Sequence, residues 1–443
     1  MNILDTLYTH LSSFSPSSTV WIAYSGGVDS HVLLHACIQL RISFPALHFS
    51  AVHIHHGLLS EADHWVEHCV QVCQRLDIPL EVIRVTVDQS AGKSIEETAR
   101  EARYQAFSGV LQDGDYLLTA HHQDDQAETC LLQFLRGAGV KGLAAMPIQS
   151  HFSKGYLVRP FLNLPKQHIC DYASEHALQW IEDGSNHDER FVRNYLRYRM
   201  LPELKERWPS VARSLARVAH NCAEANQLLW EIGCEDVARC SGELQDTLSI
   251  RALKELTIIR RKNLLREWVV KQGFRLPSAA KLQRLMNDVL EAKEDATPLV
   301  SWQGCEVRRY QDSLFVLTPL LPLDVSQRVH WQDLEKPCVL PNDLGTVLLV
   351  SVQGKGIKIA CLKNANKVSV RFRQGGEVLR LKGRRGAHAL KKLFQEWHIP
   401  VWERDRIPLL YVDDALVAVG DYAIEESFQA GPEESGYVME YQK

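Results

Sequence analysis

The hexapeptide Ser25-Gly26-Gly27-Val28-Asp29-Ser30 decides how the first part of this chain folds. It follows an apolar run from Val20 to Tyr24, which predicts a buried strand, and it precedes His31-Val32-Leu33-Leu34-His35, which predicts the start of a helix. The two glycines allow a tight turn in which the backbone can approach a ligand closely. Since the first N–H groups of a helix attract anions, the stretch predicts a phosphate-binding turn.

The side chains of this turn add specific groups to the phosphate site. The hydroxyls of Ser25 and Ser30 can bind phosphate, and the carboxylate of Asp29 can hold Mg²⁺ against it. The turn lacks the Gly-Lys-Ser/Thr end of a Walker loop and the glycine spacing of a dinucleotide site. It resembles the PP-loop of ATP pyrophosphatases, which transfer AMP to an oxygen atom and release pyrophosphate. An ordinary Ser/Gly turn is the alternative, and the full hexapeptide between a strand and a helix favours an adenylating enzyme.

Length and composition indicate a soluble protein of several domains. The chain has 443 residues, of which 45% are hydrophobic and 23% are charged, so we expect two or three domains. No apolar stretch approaches the roughly 18 residues that a membrane-spanning helix needs. The first residues lack the charged start and apolar core of a signal peptide. We therefore expect a cytoplasmic protein that does not bind membranes.

The cysteines and the charges bear on the kind of partner. None of the eleven cysteines is spaced as Cys-x-x-Cys, which predicts buried thiols rather than a zinc site or a disulfide framework. The net charge is −4, yet the segment from Lys363 to Arg406 holds twelve Lys and Arg against four Asp and Glu. A mildly acidic protein with concentrated basic segments suits a polyanion, and beside an adenylating loop this favours RNA over plain solvated helix faces.

The order of the predicted elements indicates an α/β fold followed by two other regions. Four strand-like stretches alternate with helical ones in the first 215 residues, which predicts a parallel sheet with ligands at the carboxyl ends of its strands. From Val211 to Glu294 the pattern is helical, and a Pro-rich region with short strands follows. We predict a nucleotide-binding domain (1–215), a helical middle domain (216–318), a linker (319–362) and a basic α+β domain (363–443).

A second group of polar residues follows the predicted fourth strand, from His121 to Thr129. If a helix begins there, His121, Asp125 and Glu128 lie on one face, with Asp124 beside them. Helix capping would explain one of these acids, but three acids suggest a site for magnesium or a cationic amine. Since a lysine side chain has a pKa of about 10.4, an acidic and partly desolvated pocket could hold an amine and accept its proton.

Histidines and arginines complete the set of polar candidates. His53, His55 and His56 follow the second strand, where nucleotide contacts are a better interpretation than a metal site, because no further zinc ligands stand out. Arg193 and Arg197 are four residues apart and share a helix face, so they could neutralise phosphate or form an ordinary polar face.

These motifs, in this order, resemble the tRNA(Ile)-lysidine synthetase family. The residues that carry the resemblance are Ser25–Ser30, His53-x-His55-His56-Gly57, His121-x-x-Asp124-Asp125-x-x-Glu128-Thr129, Glu182-Asp183-x-Ser185-Asn186, Arg193-Asn194-x-x-Arg197, Arg371-Phe372-Arg373, Gly375-Gly376-Glu377, Lys391–Glu396 and Pro400-x-Trp402-x-Arg404-Asp405-Arg406-x-Pro408-Leu409. The resemblance covers most of the chain and is weakest in the middle. It implies a Rossmann-like PP-loop domain of the adenine nucleotide alpha hydrolase type.

The resemblance also implies a reaction and its substrates. ATP, with Mg²⁺, adenylates the C2 oxygen of the wobble cytidine in a tRNA(Ile) whose anticodon is CAU. Free L-lysine then displaces AMP through its ε-amine and forms lysidine, so that the tRNA reads AUA as isoleucine.

Residue roles follow from the matched motifs. The implied catalytic residues are Asp29, Asp125, Glu128, His121 and Arg193. The implied ATP and pyrophosphate site consists of Ser25, Gly26, Gly27, Val28, Asp29, Ser30, His53 and His55, with Asp29 as the magnesium ligand and Asp124 as a second candidate. The implied RNA-binding residues are Arg197, Arg371, Arg373, Arg384, Arg385, Lys391, Lys392 and Arg404.

Other functions remain as alternatives. A PP-loop tRNA thiolase shares the adenylation step, but such enzymes use paired cysteines that this chain lacks. A small-molecule ligase would not need a basic C-terminal domain, and a non-catalytic tRNA-binding protein would not need Asp29 or the acidic cluster. The sequence leaves open the general base, the path of the tRNA, its discrimination from tRNA(Met), and the oligomeric state, for which a homodimer is one option.

Overall fold

The computed structural model describes residues 2–55, 62–86, 95–182, 190–293 and 296–442. The chain divides into two compact units, Met1–Leu229 and Trp230–Lys443. His56, Gly57 and the segment from Asp183 to Asn186, which the sequence motifs include, lie outside the described residues.

The first unit is an α/β fold, which confirms the predicted class. Its strands are β1 Thr19–Ala23, β2 His48–His55, β3 Leu80–Arg84, β4 Tyr116–Leu118, β5 Gln149–Phe152 and β6 Gly155–Val158. Its helices are α1 Ile3–Leu11, α2 Val28–Leu40, α3 Ala62–Arg75, α4 Ile95–Val110, α5 Gln123–Leu135, α6 Val140–Leu143, α7 Lys166–Glu175, α8 Val192–Tyr195 and α9 Leu201–Arg207, followed by α10 Val211–Arg239, which continues into the second unit. A π-helical turn at Leu196–Met200 joins α8 to α9.

The sheet order β3-β2-β1-β4-β6-β5 places the site. All neighbouring pairs are parallel except β5 and β6, which are antiparallel. The chain runs from β1 outward to β3 and then returns to the other side of β1 with β4. A crevice forms at such a reversal, at the carboxyl ends of β1 and β4. The two polar motifs of the sequence follow these two strands.

Apolar cores on both faces of the sheet hold these strand ends in place. On one face, Val20 and Ile22 of β1 are fully buried against residues of α1, α2, α3 and α7. On the other face, Phe107 and Leu111 pack with Leu117 of β4. Burial of one such side chain contributes about 1.5–3 kcal/mol, which explains why these apolar runs form central strands.

The second unit combines helices with antiparallel sheets. Its strands are β7 Leu248–Ser249, β8 Leu299–Trp302, β9 Cys305–Tyr310, β10 Ser313–Leu317, β11 Arg328–His330, β12 Cys338–Val339, β13 Thr346–Gln353, β14 Ile357–Lys358, β15 Val368–Arg371, β16 Val378–Arg380, β17 Ala387–Ala389, β18 Leu409–Val412, β19 Ala415–Val419, β20 Ala423–Ile424 and β21 Ser435–Gln442. Its helices are α11 Ile250–Glu255, α12 Ile258–Lys271, α13 Ala279–Arg284, α14 Ile359–Lys363, α15 Leu390–Glu396 and α16 Val401–Arg404. A π-helical turn at Leu285–Val289 follows α13.

The middle region is less purely helical than its sequence pattern suggests. The short strand β7 pairs with β10 and completes the sheet β7-β10-β9-β8, so the stretch from 211 to 294, whose sequence pattern is helical, also contributes a strand. A two-residue strand leaves no alternating pattern in the sequence, because it is defined by its long-range partner. Helices and sheet share one core around the buried indole of Trp268.

Candidate active site

The turn after β1 has the backbone that the glycines predict. Gly26 has a φ angle of +88°, a conformation that side chains with a Cβ rarely adopt. A Cβ at this position would also lie 3.3 Å from Cys69 Sγ. The Ser30 hydroxyl donates to the Gly27 carbonyl at 2.9 Å and lies 3.0 Å from the Ser25 hydroxyl. The two serines therefore stabilise the turn as well as facing its interior.

The turn leads directly into the N-terminus of α2. Gly27 is the residue that caps this helix, and a glycine has no side chain to occupy the first N–H groups. Those groups and the helix dipole favour an anion at this position. The local structure is thus suited to phosphate, as the sequence predicts.

Asp29, in the first turn of α2, is held between two basic groups. Its Oδ1 is ion-paired with the ammonium of Lys166, the first residue of α7. Its Oδ2 lies 3.8 Å from Nε2 of His122, the residue that precedes α5. A carboxylate oxygen of this kind, next to a phosphate site, suits Mg²⁺, which takes one or two carboxylates together with substrate phosphates.

The acids of α5 are paired with two arginines from the segment after β6. Arg197 donates to Glu128 Oε1 at 2.6 Å, to Glu128 Oε2 at 2.9 Å and to Asp125 Oδ1 at 2.7 Å. Arg193 donates to Glu128 Oε2 at 3.0 Å. Glu128 is only 1% exposed, so these charge-assisted bonds are what makes its burial tolerable.

A shared helix face for His121, Asp125 and Glu128 requires a helix that begins at His121. The helix α5 begins two residues later, so the prediction that His121 lies on its first turn was wrong. The helix α5 starts at Gln123, and the backbone N–H of His122 donates to Asp125 Oδ2 at 3.0 Å. His121 precedes the helix, and its Nδ1 lies 2.9 Å from the Thr119 hydroxyl. The structure nevertheless brings His121 and Asp125 close enough to influence each other's charge.

The pKa values show what the surroundings do to this pair. Burial alone would raise the pKa of Asp125, but His122, His121, Arg197 and Arg193 together lower it to about 2. Burial lowers the pKa of His121 to about 3, against the opposing effect of Asp125. At neutral pH the site therefore holds an ionised Asp125 beside a neutral His121.

The remaining acid of the cluster has a partner of its own. Asp124 Oδ2 accepts a hydrogen bond from Lys205 of α9 at 2.6 Å. Within the described ranges, no group of three or more His, Cys, Asp or Glu side chains has the arrangement of a metal site.

His53 and His55, in the carboxyl-terminal half of β2, are buried at the same edge of the sheet. His53 Nδ1 donates to the Tyr24 carbonyl at 2.9 Å and so ties β2 to the residue before the PP-loop. Burial lowers the pKa of His53, and the hydrogen bond to Tyr24 opposes that effect. His55 Nε2 lies 3.4 Å from Asp63 Oδ1, and the same oxygen is ion-paired with Arg84.

Comparison with known proteins agrees with this geometry. Residues 2–204 match the PP-loop domain family, residues 248–315 match the TilS substrate binding domain, and residues 368–441 match the TilS substrate C-terminal domain. A protein of Coxiella burnetii described as tRNA(Ile)-lysidine synthase is 44% identical over 438 residues, which cover 99% of this chain and 96% of that protein. One of Edwardsiella ictaluri with the same description is 41% identical, covering 97% of this chain and 96% of that protein. The chain belongs to the tRNA(Ile)-lysidine synthase family.

A solved structure of a family domain is also similar, though weakly. The crystal structure described as the TilS C-terminal domain is 24% identical, with a TM-score of 0.20, and covers 24% of this chain and 90% of that chain.

The basic residues in the TilS substrate C-terminal domain occupy several environments. Arg371 packs over the Tyr411 ring and pairs with Asp414, while Arg373 pairs with Asp405. Arg384 pairs with Glu396. Arg385, Lys391 and Lys392 are exposed.

Arg404 was predicted to bind RNA, but it is only 7% exposed. Its guanidinium donates to the Ile399 carbonyl at 2.9 Å and to the Tyr310 hydroxyl at 3.0 Å. A guanidinium buried in this way has little access to an RNA backbone, so the structure revises this part of the prediction. Arg404 holds the chain around α16 in place.

Three residues of the site were missed by the sequence analysis. Lys166 pairs with Asp29, which is 137 residues away in the sequence. Lys205 pairs with Asp124, which is 81 residues away. Only the sheet topology brings such distant residues together. His122 was part of the quoted motif but received no role, although its place directly before α5 was a usable signal.

Of the described residues, none belongs to a helix long and apolar enough to cross a membrane.

Proposed function

We propose that this chain ligates free L-lysine to the C2 carbon of the wobble cytidine of tRNA(Ile) with a CAU anticodon, in two steps of which the first consumes ATP. The observation that carries the proposal is that a phosphate-binding turn and a buried carboxylate pair meet at one sheet edge, in a chain of this family. One site is thus suited to an anion and the other to an amine. We further propose that the reaction takes place in the cytoplasm.

The PP-loop would serve the first step. The C2 oxygen of the cytidine attacks the α-phosphorus of ATP, the bond to the β-phosphate breaks, and pyrophosphate leaves. The N–H groups at the start of α2 and the hydroxyls of Ser25 and Ser30 would bind the leaving phosphates. Lys166, which now neutralises Asp29, is within reach of the same turn. Asp29 would hold Mg²⁺, which offsets phosphate charge when it is bound.

The acidic cluster would serve the second step. The amine nitrogen of lysine attacks the C2 carbon, the C–O bond to the adenylate breaks, and AMP leaves. An attacking ammonium must release two protons in all, one before the attack and one after it. Asp125 and Glu128 would hold the amine. In the structure, Arg193 and Arg197 form the ion pairs with these carboxylates that the cationic amine would form. The neutral His121 beside them is able to accept a hydrogen bond from the amine.

The basic residues outside the PP-loop domain would bind the body of the tRNA. Arg385, Lys391 and Lys392 are exposed, and Arg371, Arg373 and Arg384 add positive charge beside their acidic partners. Phosphate contacts of this kind position RNA without reading its sequence. We propose that they hold the tRNA toward its acceptor stem.

The decisive experiment is incorporation of labelled lysine into tRNA(Ile) with a CAU anticodon, in the presence of ATP and magnesium, with methionine tRNA as the control substrate. We expect label in the isoleucine tRNA alone, with release of AMP and pyrophosphate. The variant Asp29→Ala should abolish release of pyrophosphate. If ATP is consumed without transfer of lysine, the nucleophile is wrong and thiolation becomes the better interpretation. Normal activity of the Asp29 variant would refute the role given to that carboxylate.

A further inference from the structure

His122 is the side chain that stands between the two parts of the candidate site. Its Nε2 lies 3.3 Å from Oδ2 of Asp125, in the acidic cluster, and 3.8 Å from Oδ2 of Asp29, in the PP-loop. The residue is only 5% exposed. Both carboxylates therefore face the same nitrogen of a buried ring, with Asp125 largely buried and Asp29 33% exposed.

The Nε2 atom of an imidazole carries one N–H at most. Since a carboxylate only accepts hydrogen bonds, the hydrogen belongs on Nε2, and the two carboxylates compete for it. Nε2 is the ring nitrogen directed to Asp29 and Asp125. The side chain of His122 also belongs to the capping box of α5, opposite the backbone N–H of Asp125, although its buried Nδ1 makes no hydrogen bond of normal geometry among the described residues.

We propose that His122 is a positioning residue that couples nucleotide binding to lysine binding, through this competition for a single N–H. Asp29 is shared between Lys166 and His122 in the present structure. Phosphates in the turn attract Lys166, and a magnesium ion attracts Asp29. The N–H of His122 then donates its hydrogen bond to Asp125 alone. This bond fixes the orientation of that carboxylate for the amine. The proposal rests on the proposed function, because it takes lysine as the ligand of Asp125.

The coupling has a definite sign. Nucleotide should make lysine bind more tightly, because a carboxylate held in its binding orientation loses less freedom when the amine arrives. By linkage, lysine must then tighten nucleotide binding by the same factor. Couplings between sites are typically between about 5-fold and 150-fold in affinity. We expect at least about 5-fold here, since the same imidazole nitrogen lies next to both carboxylates.

A simpler role for His122 is to cap helix α5. Its backbone N–H donates to Asp125 Oδ2, and the residue has the extended backbone of a helix cap, with a φ of −124°. Asparagine is among the best capping residues and glutamine is not. A capping role therefore predicts that His122→Asn is tolerated and that His122→Gln is harmful.

The coupling role predicts the opposite order. A glutamine amide reaches the place of the imidazole Nε2, so His122→Gln keeps a donor between the two carboxylates. An asparagine amide reaches only the place of Nδ1, so His122→Asn keeps a good cap and loses the bridge. The two variants carry the same amide group and differ in the position of its N–H donor. They therefore separate the capping role from the coupling role.

The experiment is equilibrium dialysis of labelled lysine with the full chain, with and without a nonhydrolysable ATP analogue and magnesium, and the reciprocal titration of the analogue. Thermal unfolding checks that each variant folds. We expect the analogue to tighten lysine binding at least about 5-fold in the wild type and in His122→Gln, and not to change it in His122→Asn. His48→Gln is the matched control, because His48 is exposed at the opposite end of β2 and should keep the full coupling.

The outcomes are distinct. Coupling that survives in His122→Asn, or that is lost in a folded His122→Gln, overturns the proposal. Independent binding of the two ligands to the wild type overturns it as well, and leaves the proposed function intact. If the wild type binds the analogue but no lysine under any condition, the proposed function itself is wrong and the coupling falls with it.

Discussion

Replacement of Arg197 by methionine tests the ion-pair cluster that surrounds the α5 acids. The guanidinium makes three hydrogen bonds of 2.6 to 2.9 Å, two to Glu128 and one to Asp125. Methionine keeps much of the apolar stem and removes the charge. Glu128, which is 1% exposed, would keep Arg193 as a partner on one oxygen only.

The loss of stability expected for Arg197→Met depends on how deeply Arg197 and its carboxylate partners are buried. Breaking a fully buried ion pair costs about 3–5 kcal/mol, because the remaining charge is left uncompensated. Here the Arg197 side chain is 34% exposed, so water screens part of its charge, and Arg193 remains at 3.0 Å from Glu128. We therefore expect Arg197→Met to lower the local stability around α5 by about 2 kcal/mol.

Hydrogen exchange of the α5 backbone amides is the suitable assay, because it reports the opening of this part of a chain that has two compact units. A decrease of about 2 kcal/mol corresponds to about 30-fold faster exchange. Arg207→Met is the control, since Arg207 is exposed at the end of α9 and its replacement should leave α5 unchanged. An effect of Arg197→Met below about 0.5 kcal/mol would show a solvent-screened surface pair and refute the reasoning.

A double variant tests the same reasoning more strictly. Glu128→Gln alone leaves Arg193 and Arg197 facing a neutral amide. When Glu128→Gln is combined with Arg197→Met, both members of this pair are gone, so neither is left without the other, and Arg193 keeps Asp125 at 3.9 Å as its carboxylate partner. The combined destabilisation should be smaller than the sum of the two single effects by about 1–2 kcal/mol. Simple additivity would mean that the two side chains stabilise the site independently.

Three other predictions concern the turn, the acids and the RNA-binding residues. Gly26→Ala should destabilise the first unit by about 1–2 kcal/mol, because its φ is +88°, whereas Gly27→Ala should have little effect on thermal unfolding, because its φ is −76° and its Cβ would have ordinary contacts. The pKa of Asp125 is lowered to about 2, so its stabilising effect is present above about pH 4 and is lost as the pH falls toward 2. In urea unfolding between pH 4 and 2, the stability of Asp125→Asn should therefore fall by about 2 kcal/mol less than that of the wild type, and equal decreases would contradict the lowered pKa. Lys391→Gln with Lys392→Gln should weaken tRNA binding and reduce its salt slope by about 1 for each phosphate that is no longer neutralised, with unchanged ATP binding; an unchanged slope would exclude these lysines from the RNA site.

The sequence was sufficient to predict the parts of the fold and site that depend on local patterns. The apolar run before Ser25 is a strand, and the glycines, hydroxyls and Asp29 lie at the start of a helix, because each of these features acts over a few residues. The four-residue spacing of Arg193 and Arg197 predicts that both point the same way, and both reach Glu128, although Arg197 lies in the π-helical turn that follows α8.

The partners of the acids could not be predicted in the same way. The pairing of Lys166 with Asp29 depends on α7 packing beside α2, and that of Lys205 with Asp124 depends on α9. Nothing near either lysine in the sequence marks it as a site residue. Arg404 shows the opposite failure, since its basic neighbours suggest a surface that binds RNA while tertiary packing buries its guanidinium.

These pairings change the physical picture of the site. From sequence alone, the acids suggest a negatively charged pocket that attracts an amine. In the structure each of Asp29, Asp124, Asp125 and Glu128 has a basic partner, and the four acids face the four bases Lys166, Lys205, Arg193 and Arg197. A site balanced in this way attracts neither a cation nor an anion strongly by its net charge. Substrates must therefore exchange partners with the protein, and the phosphates of ATP, which compete for Lys166, are the ligand able to begin that exchange.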